Sequence, residues 1–251
     1  MQTGKVYLIG AGPGDPELMT LKAVRLLSTA DVVLIDDLVN RAVLDHARSD
    51  ARIIEVGKRG GCQSTPQDFI HRQMISEARA GKLVARLKGG DPFMFGRGGE
   101  EIEALRAAGI PVEVISGVTS GIAAPAALGI PLTHRDWAPG VTFVTGHTRD
   151  GNSVNWAALA AARTTLVIYM GIKNLPDIVA QLLVAGLPAT TPAAVIQNGT
   201  LAAQRQIKSN LGNLQAATKQ AGIGSPAIMV IGEVASLAHI ATCAETAVKA
   251  A

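Results

Sequence analysis

The sequence predicts an α/β protein of two domains, residues 1–137 and 138–251, and three observations carry that expectation. Of its 251 residues 48% are hydrophobic but only 3% aromatic, and 27 are glycine, a mixture suited to helices packed closely on sheets. Short apolar runs repeatedly end in glycine-rich turns followed by helical spacing. A second series of the same kind begins after residues 132–140, L-T-H-R-D-W-A-P-G, the best linker in the chain. The length corresponds to roughly 1.7 average domains.

Taken in order, residues 6–9 form a short strand feeding G-A-G-P-G-D at Gly10 to Asp15. Residues 18–27 have helical spacing, and 32–35 form the next strand, closed by Asp36 and Asp37. That order resembles a dinucleotide fingerprint, but Asp15 stands where its third glycine belongs. Pro13 and Pro16 also bar a helix from starting at the second glycine, so nicotinamide binding is not expected. Residues 52–56 are a third strand leading into a basic glycine-flanked loop that holds Lys58. Thr65-Pro66-Gln67-Asp68 reads as a cap with proline at the first helical position, opening a helix that ends near Gly81.

The densest stretch follows. Residues 82–87 alternate apolar and basic side chains like a strand end, then meet Gly89-Gly90-Asp91-Pro92, where missing side chains let a ligand approach the backbone. Phe93-Met94-Phe95 gives an apolar wall, and the loop 96–99 delivers Arg97 just before Glu100, the expected start of a helix ending at Gly109. Arg97 and Glu100 lie three apart, so one helical turn directs both into the same cleft. A tight turn and a solvated arginine would explain a lone Gly-Gly-Asp. They do not explain five glycines, two aromatics, an acid and an arginine within eleven residues. Residues 112–115 are a strand followed by S-G-V-T-S, which sets Thr119 and Ser120 at a helix N-terminus. Asp36, Lys58, Asp91 and Thr119 thus all follow strands, and in an open α/β sheet such groups line one crevice.

In the second series, residues 141–145, 165–169, 193–197 and 227–231 read as strands, with 204–208 a possible edge strand. Residues 175–185 and 211–221 read as helices, and the alanine-rich end after Thr242 is expected to fray. Other chemistries are disfavoured. The net charge of +3 comes with no basic run or arginine–aromatic interleaving, which argues against nucleic acid. No metal is expected, because the five histidines are scattered and the two cysteines lie far apart, which also suits a reduced cytoplasm. Asn152 stands where a phosphate-binding loop needs lysine, and no G-x-S-x-G elbow occurs. The first residues read as a strand rather than a signal peptide, and no apolar run has membrane-spanning length.

One set of motifs recurs in order along almost the whole chain. It comprises V-Y-L-I-G-A-G-P-G-D, D-x-L-V at Asp36, V-G-K-R at Val56, R-L-K-G-G-D-P-F-x-F-G-R-G-G-E-E, G-V-T-S, L-T-H-R, Y-M-G and S-P-A. With these the chain closely resembles the tetrapyrrole methylase family, and within it the stand-alone members that methylate uroporphyrinogen III. The resemblance implies two α/β domains with the active site in the cleft between them, the second domain completing the donor site, and a homodimer with no nucleic-acid or membrane partner. It implies S-adenosyl-L-methionine as donor, S-adenosyl-L-homocysteine as product, and two methylations giving precorrin-2 on the route to sirohaem, cobalamin or haem d1. It places the donor site on Pro13, Gly89, Gly90, Asp91, Met94, Thr119, Ser120, Met170, Gly199 and Ala227. Asp36 and Lys58 match the family's proton acceptor and donor. Arg97, Glu100 and Arg135 match residues assigned to the substrate and to proton removal, with Met170 also on the substrate side. Ile35, where tyrosine often precedes the acid, and Ser120, often alanine, depart from the pattern and leave the backbone roles intact.

The chemistry behind that set is simple. A sulfonium donor is already activated, so the protein mainly aligns methyl and ring carbon. The methylated macrocycle must then lose a proton, and Asp36 and Glu100 are the two carboxylates the sequence offers. The eight substrate carboxylates suit Arg97, Arg135 and Lys58. A later precorrin methylase, an RNA-methylating relative and a non-enzymatic donor sensor are the alternatives.

Overall fold

The computed structural model describes residues 3–57, 65–147 and 154–239. The chain divides between Ser120 and Gly121 into two compact units, each built on its own five-stranded sheet. The first sheet closes with Ile115 and the second opens with Val141, so both position 120 and position 137 fall in the segment that joins them.

The first unit contains β1 (Lys5–Gly10), α1 (Leu21–Leu27), β2 (Val32–Ile35), β3 (Arg52–Glu55), α2 (Gln67–Arg79), β4 (Leu83–Lys88), α3 (Gly98–Ala107) and β5 (Val112–Ile115). The strands run in the order β3-β2-β4-β1-β5, every pair parallel. Val32, Val33, Leu34 and Ile35 are all buried, the continuous apolar run that a parallel strand covered on both faces requires. The two faces sort by alternation. Ile9, Val33, Ile35, Ala85 and Leu87 pack with Ala23, Leu26 and Leu27 of α1. Val6, Leu8, Val32, Leu34 and Val84 pack with Ile70 and Met74 of α2 and Ile102 and Leu105 of α3. The connection leaving β1 therefore crosses one face and the connection leaving β4 crosses the other, which opens a switch point between their carboxyl ends.

Three helix starts differ from the sequence expectation, the first two because side-chain caps compete. The helical spacing over 18–27 resolves into a short 3-10 turn, Pro16–Leu18, and then α1, because the Thr20 hydroxyl accepts from the Ala23 amide at 3.2 Å and restarts the helix. Asp15 is the cap of that 3-10 turn, accepting from the Glu17 amide at 2.9 Å. Before α2, Thr65 donates its hydroxyl to the Gly57 carbonyl at 3.1 Å, so Pro66 occupies the cap position with no side-chain bond. The helix expected from Glu100 begins two residues earlier, at Gly98.

Across the division runs α4 (Ser120–Ala126). The second unit holds β6 (Val141–Thr145), α5 (Trp156–Ala161), β7 (Thr165–Tyr169), α6 (Leu175–Val184), β8 (Pro192–Gln197), β9 (Arg205–Asn210), α7 (Leu214–Gln220) and β10 (Ala227–Ile231). Its strands run β6-β7-β10-β8-β9, with only β6 and β7 parallel as direct neighbours. Because β10 runs antiparallel to both β7 and β8, its first residue lies at the edge where those two strands end. The core on one face joins Leu166, Ile168, Val195, Met229 and Ile231 to Ile178 and Leu182 of α6 and Leu214 of α7. Among the described residues no helix is long and apolar enough to cross a membrane.

Candidate functional site

At the first unit's switch point the turns after β1 and β4 are laced together by backbone alone. The Ala11 amide donates to the Lys88 carbonyl at 2.8 Å, and the Gly90 amide donates to the Gly12 carbonyl at 2.7 Å. The loop after β5 presses onto the same place, because a Cβ on Gly117 would collide with the Gly90 carbonyl and the Gly10 backbone. Asp91 ties the loop after β5 to the loop after β4. Its Oδ1 accepts from the Phe93 amide at 2.8 Å and its Oδ2 from the Gly117 amide at 3.1 Å. Thr119, two residues beyond Gly117, is buried. The structure thus gathers Pro13, Gly89, Gly90, Asp91, Met94 and Thr119 at one end of one sheet, as the strand order required.

Asp36 also follows a strand of this edge, and its surroundings are unusual. Arg86, Lys88 and Glu101 are buried to within 3% of full cover, on a sheet face otherwise lined by aliphatic side chains. Glu101 Oε1 accepts from Arg86 Nε at 3.0 Å, from Lys88 Nζ at 3.2 Å and from Gln67 Nε2 at 3.2 Å. Arg86 Nη2 then donates to Asp36 Oδ1 at 2.6 Å, and Lys88 Nζ lies 3.7 Å from Asp36 Oδ2. Burial, and next the Arg86 charge, push the Lys88 ammonium below the usual lysine range. The Asp36 side chain keeps 29% of its surface exposed, so it forms the open end of a buried run of charge.

The other expected residues of this unit lie nearby in sequence but are differently engaged. Arg97 takes a left-handed conformation, φ 58°, just before α3 and closes on Glu100 in a two-pronged pair, Nε to Oε1 at 2.8 Å and Nη2 to Oε2 at 2.5 Å. That bond to Glu100 is the first cause raising the Arg97 pKa. Both residues remain exposed. Lys58 lies outside the described residues.

In the second unit, Met170 follows β7, Gly199 follows β8 and Ala227 opens β10, all at one edge of the sheet. Ala227 pairs with Gln197 and Ile228 with Tyr169, and the Asn198 amide donates to the Pro226 carbonyl at 3.1 Å. Met170 is held at φ 53°, a left-handed conformation uncommon for a non-glycine residue, with half of its surface exposed. Tyr169 turns its hydroxyl to the start of α4, accepting from the Gly121 amide at 2.7 Å where any Cβ would meet the ring. Arg135 sits exposed in a tight turn closed by the paired backbones of His134 and Ala138, with His134 stacked on Trp137 at 4.3 Å. Among the described residues no three His, Cys, Asp or Glu side chains converge in a way that could hold a metal.

Sequence reading missed Arg86, Lys88, Glu101 and Tyr169 as parts of these sites. One signal for the first two was present. Arg86 and Lys88 are two apart in a strand, hence on the same face, and two cations on one face demand a buried anion if that face is covered, which the sequence does not decide.

Comparison with known proteins gives this geometry a family. Residues 5–215 match the Tetrapyrrole (Corrin/Porphyrin) Methylases. The chain is a tetrapyrrole methylase. A Pseudomonas aeruginosa relative named uroporphyrinogen-III C-methyltransferase is 56% identical over 92% of this chain and 94% of its own length. A siroheme synthase of Pseudomonas fluorescens is 51% identical over 94% of this methylase, which spans 51% of that longer relative. Among solved structures, a uroporphyrin-III C-methyl transferase of Thermus thermophilus complexed with S-adenyl homocysteine has a TM-score of 0.80 at 41% identity, covering 93% of this methylase and all of that chain. A cobalt precorrin-4 methyltransferase has a TM-score of 0.83 at 29% identity, covering 92% of this methylase and 95% of that chain.

The residues present fit such a donor. The turns at the first switch point offer backbone amides and carbonyls with little side chain in the way, and the buried Thr119 adds a hydroxyl. Asp91, whose oxygens are already committed to Phe93 and Gly117, shapes that surface more than it offers a free carboxylate.

Proposed function

We propose that this methylase transfers two methyl groups from S-adenosyl-L-methionine to uroporphyrinogen III, at C-2 and C-7, giving precorrin-2 for sirohaem, cobalamin or haem d1 synthesis. The observation that carries this reading is the 56% identity that extends over 94% of the Pseudomonas aeruginosa uroporphyrinogen-III C-methyltransferase.

S-adenosyl-L-methionine supplies a methyl group on a positively charged sulfur. The backbone-lined turns at Pro13, Gly89, Gly90 and Asp91, with Met94, Thr119 and Ser120, hold it in the first unit. Met170, Gly199 and Ala227 contribute from the second. Arg97 and Arg135, both exposed, receive carboxylates of the macrocycle, and Glu100, paired with Nε and Nη2 of Arg97, fixes the orientation of that guanidinium. Transfer leaves one positive charge on the macrocycle, which is discharged when a ring C–H bond breaks and its proton moves to a carboxylate. Asp36 is the proton acceptor in this reading and Lys58 the donor. Glu100 is the weaker candidate, because both of its oxygens are engaged by Arg97.

The test is incubation with S-adenosyl-L-methionine and uroporphyrinogen III, followed by mass analysis. Two added methyl groups are expected. Donor binding without any transfer would instead indicate a sensor, and methylation only of a later precorrin would favour the activity named for the 29% identical structure. We further propose a homodimer in the cytoplasm. Exposed Phe69, Phe93 and Phe95 support the first, and two cysteines remote in sequence support the second. Light scattering should then give twice the 25.9 kDa of one chain, and a monomer mass would remove the dimer from the proposal.

A further inference from the structure

The buried charges behind Asp36 ask for an explanation that stability does not provide. Ion pairs taken out of water are commonly no more stabilising than apolar side chains of similar volume. Here Arg86, Lys88 and Glu101 interrupt a face otherwise built from Val, Leu, Ile and Met. What the three share is Asp36. Arg86 is locked by donating Nε to Glu101 and Nη1 to the Leu87 carbonyl, which leaves Nη2 aimed at Asp36 Oδ1. Lys88 is drawn to the same Glu101 oxygen and faces Asp36 Oδ2. Glu101 Oε2, also buried, has no hydrogen-bond partner among the described residues. Glu101 thus stands behind both cations, and both cations stand behind Asp36.

We propose that Arg86 and Lys88, both held in place by Glu101, are positioning residues that orient Asp36 and set the charge against which it accepts and releases the proton. This rests on the reading that Asp36 is the proton acceptor. With Asp36 ionised, two cations and two anions balance. A proton on Asp36 leaves one uncompensated positive charge in a place water does not reach, which favours passing that proton onward through the exposed side of Asp36. A reaction of two successive methylations needs such a reset between rounds. Among the described residues, Arg86 and Lys88 from β4 face Asp36, with Glu101 from α3 and Gln67 from α2 behind them, while Glu55 at the end of β3 is paired with Arg41.

The experiment measures kcat for methyl transfer against pH, together with S-adenosyl-L-homocysteine affinity by calorimetry, in Glu101→Gln, Lys88→Met and Lys88→Arg. Glu101→Gln and Lys88→Met should each lower kcat at least about tenfold while leaving the affinity within about twofold. Their acid limbs should move in opposite directions, down by about one pH unit in Glu101→Gln, which leaves the cations in excess, and up by about one in Lys88→Met. Lys88→Arg keeps the charge and should keep the limb in place. If Glu101→Gln does not fold, the contrast between the two lysine variants decides alone. Lower kcat with unmoved limbs, or limbs moving together, reduces the cluster to packing and overturns the proposal. Asp36→Asn at wild-type rate overturns the acceptor reading itself, whereas a dead Asp36→Asn with unmoved limbs elsewhere overturns only the positioning.

Discussion

Glu113 shows how one carboxylate can report on a fold. It lies on the edge strand β5, where Lys22 of α1 and Lys5 of β1 each approach it at 2.6 Å. The bond from Lys22, then that from Lys5, holds its carboxyl near about 2 instead of 4.5. Its folded value lies below its unfolded one, so the stability it contributes is full above 4.5 and disappears as pH falls toward about 2. Denaturant midpoints followed over that range should slope downward in the native protein and flatten in Glu113→Gln. An unchanged slope would show that the pairs are solvent-screened and contribute nothing. The same residue scale sets the limit of sequence reading. Asp36, Asp91 and Thr119 could be placed at one edge because each follows a strand. Arg86 and Lys88 could not be placed beside Asp36, because alternating basic and apolar residues read equally well as a half-exposed strand. Only Glu101, thirteen residues beyond Lys88, shows that the basic side faces inward.

At the scale of elements, strands were the most legible. Residues 32–35, 112–115, 141–145, 165–169 and 227–231 have the bounds that apolar runs ending in turn residues suggest. Helix starts were less so, since caps compete. Thr65 resembles a cap but spends its hydroxyl on Gly57, while Asn155 caps α5, a helix of six residues too short to show a period. The three turns laced at the first switch point behave as one element. Gly117→Ala pushes a methyl group into the Gly90 carbonyl and should destabilise the protein by about 1–3 kcal/mol. S-adenosyl-L-homocysteine binding, followed by calorimetry, should weaken with it. Undiminished affinity at lowered stability would separate this lacing from the donor site.

At the scale of the molecule, the alternation of strands, turns and helices announced two α/β sheets, and the small aliphatic composition announced their close covering. The antiparallel β10 at the middle of the second sheet was not legible, because strand direction depends on pairing partners far apart in sequence. Arg97 and Arg135 stand in solvent, whereas Arg86, Lys88 and Glu101 do not. Dissolved ions screen the first pair over roughly 8 Å at 0.15 M and cannot enter the second group. Raising potassium chloride should therefore increase KM for the polyanionic substrate and leave kcat nearly level. A kcat that fell in step would mean that electrolyte reaches Arg86, Lys88 and Glu101 after all.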